Sequence, residues 1–375
     1  MVTLPRPEVD PDGLLEYSVV YTDRALNHMS ARFVGVMADI DAVLREAHGA
    51  HTVAVVPGGG TYAMESVARQ FARGAHCLVV RNGFFSYRWS QILEQGRIAE
   101  SVEVVSASPD SDAVDAAWAP APAEEVAERI RATRPGVVCA AHVETASGIL
   151  LPDDYLRVVA EATHEVGGLF VLDGIASGAL LADMDAVGAD VLVGAPQKGW
   201  SGTPGAGFVL LNERARARVG ETTSSSFAMD LARWVGIAEG YREGRPGYHA
   251  TMPTDALATN AARLKETRAI GFDVLAERQR ELGRRVRALL AERGWASVAA
   301  PGFEAPSVVV VHTDDPELKS AAALKRVGVQ AAAGVPLMCG EPEGFSTFRI
   351  GLFGLDKLTD VDGTVDRLSA ALDRL

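Results

Sequence analysis

Short apolar runs recur along the first two thirds of the chain, over residues 52–56, 77–80, 102–106, 137–141, 169–172, 191–193 and 208–211. Stretches with apolar residues at helical spacing precede and separate them, over 33–47, 62–73, 87–95, 123–132 and 155–166. Strands that are apolar throughout and alternate with helices predict an α/β fold, with a mostly parallel seven-stranded sheet covered on both faces. Beyond Thr254 the pattern changes. A long helical region rich in Arg and Glu runs over 254–293; 307–312 and 347–352 then read as strands, and 316–327 and 361–375 as helices. The expected organisation is an arm over 1–30 containing Pro5, Pro7 and Pro11, a large domain over 31–265, and a smaller C-terminal α+β domain over 266–375.

In open parallel sheets, ligands bind beyond the C-terminal ends of the strands, so the residues after each strand are the ones to read. The first strand leads into Gly58, Gly59, Gly60 and Thr61 at a helix start. Glycines let backbone N–H groups approach a ligand, and a helix start favours an anion such as phosphate. The stretch is neither a dinucleotide fingerprint nor a P-loop, and a tight turn explains it equally well. The second strand is followed by Phe84 and Phe85, which suit either a flat ring or the core. The fourth is followed by His142, Glu144, Thr145, Ser147 and Gly148, where His142 reads as a satisfied structural histidine.

The fifth strand ends in Asp173, a carboxylate that is costly to bury unpaired. A protonated ring nitrogen would relieve that cost, and so would capping of the next helix. The sixth strand leads through Gly194, Ala195, Pro196 and Gln197 to Lys198. Of the chain's five lysines, only Lys198 stands at the end of a buried strand in a glycine-rich turn. Burial lowers an amine's pKa and makes it a nucleophile. A phosphorylated, flat, cationic ring bearing an aldehyde would use all of these groups, and pyridoxal 5′-phosphate is such a molecule.

The formal charge of −13 argues against nucleic acid or an anionic membrane as main partner. No apolar run reaches the length of a membrane span, and the N-terminus lacks a signal-peptide pattern. Three distant cysteines, Cys77, Cys139 and Cys339, fit a reducing cytoplasm and give no disulfide or zinc framework. In so acidic a chain an anionic substrate needs a local cation. Arg349, alone between Phe348 and Ile350, offers a planar fork suited to a carboxylate.

Taken in order, these pieces resemble the class V aminotransferases of pyridoxal-phosphate fold type I, most closely the alanine–glyoxylate and serine–pyruvate type. The resemblance runs from about residue 50 to 354. It rests on Gly58-Gly59-Gly60-Thr61 with Glu65, Asn82-Gly83-Phe84-Phe85, Glu144 with Ser147-Gly148, Asp173 with Ala176-Ser177, Gln197-Lys198, Tyr248-His249 with Thr251 and Pro253, and Phe348-Arg349-Ile350-Gly351. It implies Lys198 as the Schiff-base lysine, Asp173 as partner of the pyridine nitrogen and Phe85 as the stacking aromatic. Gly59, Gly60, Thr61 and Gln197 are implied as phosphate contacts, and Thr145 as a contact to the ring hydroxyl. Tyr248 and Thr251 are implied to reach the phosphate held by a partner subunit, in a homodimer with shared sites. Arg349 is implied as the clamp on the substrate carboxylate.

The implied activity is transfer of an amino group from a small amino acid, of alanine or serine type, to a 2-oxo acid such as glyoxylate or pyruvate. Alternatives are a 2-aminoethylphosphonate–pyruvate transaminase, which shares most of these motifs, and a lyase or cysteine desulfurase. The family's N-terminal Pro-Gly-Pro segment is replaced here by Glu8-Val9-Asp10-Pro11-Asp12-Gly13. Cys339 lacks the small, serine-rich surroundings of a desulfurase cysteine and reads as a plain thiol.

Overall fold

The computed structural model describes residues 3–375, so the first two residues of the arm expected over 1–30 lie outside the described residues. The seven apolar runs form one sheet. Its strands lie in the order Thr52–Gly58, Gly205–Leu211, Val191–Gly194, Leu169–Asp173, Val137–Ala141, His76–Arg81 and Ser101–Ser106. Every residue of the three central strands Val191–Gly194, Leu169–Asp173 and Val137–Ala141 is buried, which is why these runs carry no polar alternation. Neighbouring strands are parallel except for Gly205–Leu211, which is antiparallel to both flanking strands. The connection from Gly194 to Gly205 is too short for a crossover helix, which with its loops takes roughly a dozen residues or more. The chain therefore doubles back, and Lys198 sits in that return.

The helices expected between the strands form at Gly60–Phe71, Phe84–Gln95, Ala123–Thr133 and Asp153–Glu165. The first helix, Ala31–His48, begins at Ser30, whose Oγ accepts a hydrogen bond from the N–H of Phe33 at 3.1 Å. It ends at Gly49 in the left-handed conformation, and its buried stripe is Phe33, Val36, Met37, Ile40, Val43 and Leu44.

The helical region expected over 254–293 is two helices, Thr254–Ile270 and Phe272–Ala291. They break at Gly271, whose φ of 105° is open to glycine and strained for other residues. Thr254–Ile270 packs against Ala31–His48, so the expected boundary at 265/266 lies inside a helix that leans on the large sheet's layer. Phe272–Ala291 instead places Leu275, Leu282, Val286 and Leu290 in a separate core with Val309, Val311, Phe348 and Ile350. The helix expected over 316–327 is likewise divided, into Pro316–Lys319 and Ala322–Arg326, with Ala321 at φ 61° between them.

A three-stranded antiparallel sheet of Val308–His312, Thr347–Gly351 and Ala332–Ala333 puts Arg349 on its middle strand. The arm carries hydrogen-bonded turns over 6–13 and leaves Leu14, Tyr17 and Val19 exposed. It is tied down further on, where the N–H of Leu26 donates to Asp255 Oδ1 at 3.0 Å. Among the described residues no helix is long and apolar enough to cross a membrane.

Candidate active site

Four adjacent strands of the large sheet, His76–Arg81, Val137–Ala141, Leu169–Asp173 and Val191–Gly194, end side by side. Asp173 stands in register with Ala141 on one side and Val193 on the other. Asp173 is the last residue of its strand, and the segments after the other three carry Phe85, Thr145 and Lys198.

The N–H of Ile175 donates to Asp173 Oδ1 at 3.0 Å, while the second oxygen has no hydrogen bond among the described residues. Burial pushes the Asp173 carboxyl up to about 6, although the Ile175 N–H and the Lys198 charge pull it down. Lys198 is half-buried, with Nζ 5.8 Å from the centre of the Phe85 ring and 5.4 Å from that of Phe353. Burial lowers the pKa of its amine; the charges of Asp173 and Glu144 oppose that shift, and those of Arg349 and Arg88 add to it. The turn that carries Lys198 fits tightly, since a Cβ at Gly199 would collide with the carbonyl oxygen of Gly178.

Phe85 lies on the first turn of Phe84–Gln95, and that turn is held by Glu144. The fully buried Glu144 carboxylate accepts from the N–H of Phe85 at 3.2 Å, of Ser86 at 2.8 Å and of Ala146 at 2.9 Å, and from Ser86 Oγ at 2.8 Å. A helix start favours a carboxylate through its free N–H groups and its dipole. His142 sits behind Asp173, its N–H donating to the Asp173 carbonyl and its Nδ1 bonded to Ser177 Oγ at 2.8 Å. Burial lowers its pKa to about 4, so the imidazole is neutral, in keeping with a structural histidine.

Gly59, Gly60 and Thr61 open the helix Gly60–Phe71. A Cβ at Gly207 would stand 2.6 Å from the Gly59 carbonyl oxygen, and one at Gly60 would meet the Ile175 side chain, whereas Gly59 faces open space. Thr61 Oγ1 accepts from Arg88 Nη1 at 3.1 Å. Thr145 is buried; its carbonyl accepts from Arg349 Nη1 at 3.2 Å, and Arg349 Nε donates to the Ala333 carbonyl at 2.8 Å. The Arg349 guanidinium lies 5.6 Å from the centre of the same Phe85 ring. Burial lowers its pKa, against the charge of Glu144.

Lys198, Asp173, Phe85, Thr145 and Arg349 are thus gathered at one place, with Gly59, Gly60 and Thr61 at its edge and Gln197 exposed beside it. Tyr248 and Thr251 do not join them within one chain. Tyr248 is exposed, and its hydroxyl bonds to Thr251 Oγ1 at 3.2 Å.

No protein-family model matches the chain. It is 30% identical over 369 residues to the 2-aminoethylphosphonate–pyruvate transaminase of Burkholderia ambifaria, covering 94% of this chain and 89% of that protein. The chain belongs to the class V aminotransferases. A second transaminase of the same description, from Paraburkholderia xenovorans, is 29% identical over 368 residues, covering 94% and 90% of the two chains. Alanine–glyoxylate aminotransferase from Nostoc shares the fold, with a TM-score of 0.77 at 22% identity over 92% of this chain and 88% of that one. Like its relatives, this class V aminotransferase has the pyridoxal-phosphate type I fold and depends on that cofactor.

The residues present fit the cofactor. A buried carboxylate keeps one oxygen without a hydrogen-bond partner, a lysine amine of lowered pKa stands near it, and a glycine turn opens into free space at a helix start. Three features of this aminotransferase escape a reading of the sequence. Phe353 reaches Lys198 from the smaller sheet's side, Glu144 anchors the Phe85 turn rather than facing a ligand, and Arg88 stands over Phe85 at 5.4 Å. Only Arg88 left a signal, since three residues after Phe85 on a helix is the same face.

Proposed function

We propose that this chain is a transaminase moving an amino group from a small amino acid, of alanine or serine type, to a 2-oxo acid such as pyruvate or glyoxylate. The observation that carries this reading is that Lys198 Nζ and the Arg349 guanidinium stand 5.8 and 5.6 Å from the centre of one aromatic ring, Phe85. An amine and a carboxylate clamp on a common platform suit an α-amino acid.

When bound, pyridoxal phosphate supplies an aldehyde for the Lys198 amine and an electron-withdrawing ring. Asp173 would hold a proton on the ring nitrogen, and that ion pair would remove the cost of burying the carboxylate. Gly59, Gly60, Thr61 and Gln197 would take the phosphate, Thr145 Oγ1 the ring hydroxyl, and Phe85 one face of the ring. Arg349 receives the donor's carboxylate in its fork. Lys198, whose amine burial shifts toward the neutral form, would act as the base that takes the proton from the donor's α-carbon and as the acid that returns it. Arg349 would bind the product 2-oxo acid and then the acceptor 2-oxo acid in turn, with water supplying the oxygen of the released product, and departure of the first before the second binds would give ping-pong kinetics.

The second reading takes 2-aminoethylphosphonate as donor, and the names of the curated relatives support it. A panel of alanine, serine and 2-aminoethylphosphonate against pyruvate and glyoxylate tests both. Turnover with the amino acids alone supports the first reading; preference for the phosphonate replaces it with the second.

The working assembly in this proposal is a homodimer with shared sites. Exposed Tyr248 and Phe227, and the arm residues Leu14, Tyr17 and Val19, are the surface that supports it. Across such an interface Tyr248 and Thr251 complete the phosphate cup of the other subunit. Sedimentation at micromolar protein tests this: a monomer that is fully active would exclude shared sites. The three free cysteines, two of them buried, support work in the cytoplasm.

A further inference from the structure

The phosphate cup of the proposed site has a charge problem. Its donors within the chain are the backbone and hydroxyl of Gly59, Gly60 and Thr61 with Gln197, and across the proposed dimer Tyr248 and Thr251. All are neutral. A phosphate monoester carries close to two negative charges at neutral pH, and a half-enclosed dianion without a cation is costly. Arg349 stands on the smaller sheet and is not joined to this cup: its hydrogen bonds among the described residues go to the Ala333 and Thr145 carbonyls, and none reaches Gly59, Gly60, Thr61 or Gln197.

Arg88 stands where a cation is missing. It is half-buried on the helix Phe84–Gln95, three residues after Phe85, and its guanidinium lies 5.4 Å from the centre of the Phe85 ring. Its Nη1 donates to Thr61 Oγ1 at 3.1 Å, which puts it one hydrogen bond from the cup. Among the described residues no carboxylate pairs with it, although many of the chain's other arginines are paired, Arg69 with Glu65, Arg216 with Glu239 and Arg326 with Glu317 among them. Its Nε and Nη2 make no hydrogen bond within the described residues and remain available. Its charge also reaches Asp173 and Lys198, so it belongs to the same electrostatic site.

We propose that Arg88 is the cation of the phosphate cup, binding the cofactor's ester phosphate from the edge of Phe85 while Arg349 binds the substrate's anion. This inference rests on the transaminase reading and adds a division of labour between the two guanidiniums that flank one ring. A single arginine serving both anions would let substrate compete with cofactor; two, one on the helix Phe84–Gln95 and one on the strand Thr347–Gly351, keep the sites apart.

The test compares pyridoxal phosphate with pyridoxal, which lacks the phosphate, on cofactor-stripped protein by absorbance titration. Arg88→Gln is expected to weaken pyridoxal phosphate by about 10- to 100-fold, the range of a charge-assisted hydrogen bond, and to change pyridoxal less than about threefold. Arg88→Lys keeps the charge and should restore most of the ratio. Because that ratio is read within each variant, a partly misfolded sample does not imitate the result. Equal weakening of both ligands by Arg88→Gln would overturn the inference in favour of a purely structural arginine. Unchanged cofactor affinity with a raised KM for the 2-oxo acid would overturn it in favour of a substrate contact. A wild-type protein that binds neither ligand would overturn the cofactor reading itself and the inference with it.

Discussion

The carboxylate of Glu144 accepts both the N–H and the Oγ–H of Ser86 at 2.8 Å, joining the loop after Val137–Ala141 to the helix that carries Phe85. No arginine or lysine pairs with Glu144 among the described residues, and its partners are backbone and hydroxyl donors. It is therefore a positioning residue. Glu144→Gln replaces one of the two accepting oxygens with an amide that donates, facing the same N–H groups. Unfolding in denaturant should show a loss of about 1–3 kcal/mol, together with weaker cofactor binding. An unchanged midpoint and unchanged affinity would remove Glu144 from the account.

Asp173 gives a pH signature in the cofactor-free protein. Its folded pKa of about 6 lies above the ordinary value of 3.8, so the folded chain binds this proton more tightly than the unfolded one. Stability from this group is therefore full below about pH 4, falls as pH rises toward 6 and stays low above it. A displacement of that size corresponds to about 3 kcal/mol. Asp173→Asn should be more stable than wild type at pH 7.5 by up to that amount, with the gap closing toward pH 4, while transamination is lost. Thermal melts of the two cofactor-free proteins across pH 4–7.5 check this; a gap that widens on acidification has the wrong sign.

Arg349 should not tolerate lysine. Its Nε and Nη1 are already committed to the Ala333 and Thr145 carbonyls, a geometry that an ammonium cannot reproduce. Arg349→Lys is expected to raise KM for the 2-oxo acid by about 10- to 100-fold, with cofactor affinity within about threefold of wild type. Steady-state kinetics with pyruvate and a cofactor titration separate the two effects.

Cys339 should be dispensable. Burial pushes its thiol up to about 12, and Sγ points at the Arg81 and Leu337 carbonyls. A thiol held protonated is a poor nucleophile. Cys339→Ser should keep transaminase turnover within about twofold, and release of sulfide from cysteine should stay at background in both proteins. Cysteine-dependent sulfide that vanishes in the variant would favour the desulfurase chemistry instead.

Much of this site was legible in the chain because its chemistry stands at strand ends, and apolar runs mark strand ends well. Asp173, Lys198 and Phe85 each follow such a run. The breaks at Gly271 and Ala321 were not legible, since the helical spacing of apolar residues continues across both. The anchoring of the Phe85 turn by Glu144 is not legible, since its partner Ser86 lies 58 residues away in sequence. In sequence Arg88 is a lone arginine on a helix, indistinguishable from a solvated one until the fold brings Thr61 and Phe85 beside it. Phe353 comes from the smaller sheet's side, and no pattern within 198 or 353 alone brings the two together. Tyr248 and Thr251 face outward in one chain, and only the proposed dimer would give them a place in a site.

The central claim is that Lys198 carries the proton in a two-step amino transfer. It is tested by mixing cofactor-loaded enzyme with one amino donor and no acceptor, and following the cofactor spectrum. Wild type should convert to the aminated form once per site, release one 2-oxo acid per site, and return to the starting spectrum on addition of pyruvate or glyoxylate. Lys198→Ala should slow the conversion by at least about 10²- to 10⁴-fold and no longer retain cofactor covalently after borohydride. A Lys198→Ala protein that converts at the wild-type rate, or a wild type that makes product continuously without an acceptor, would contradict the account.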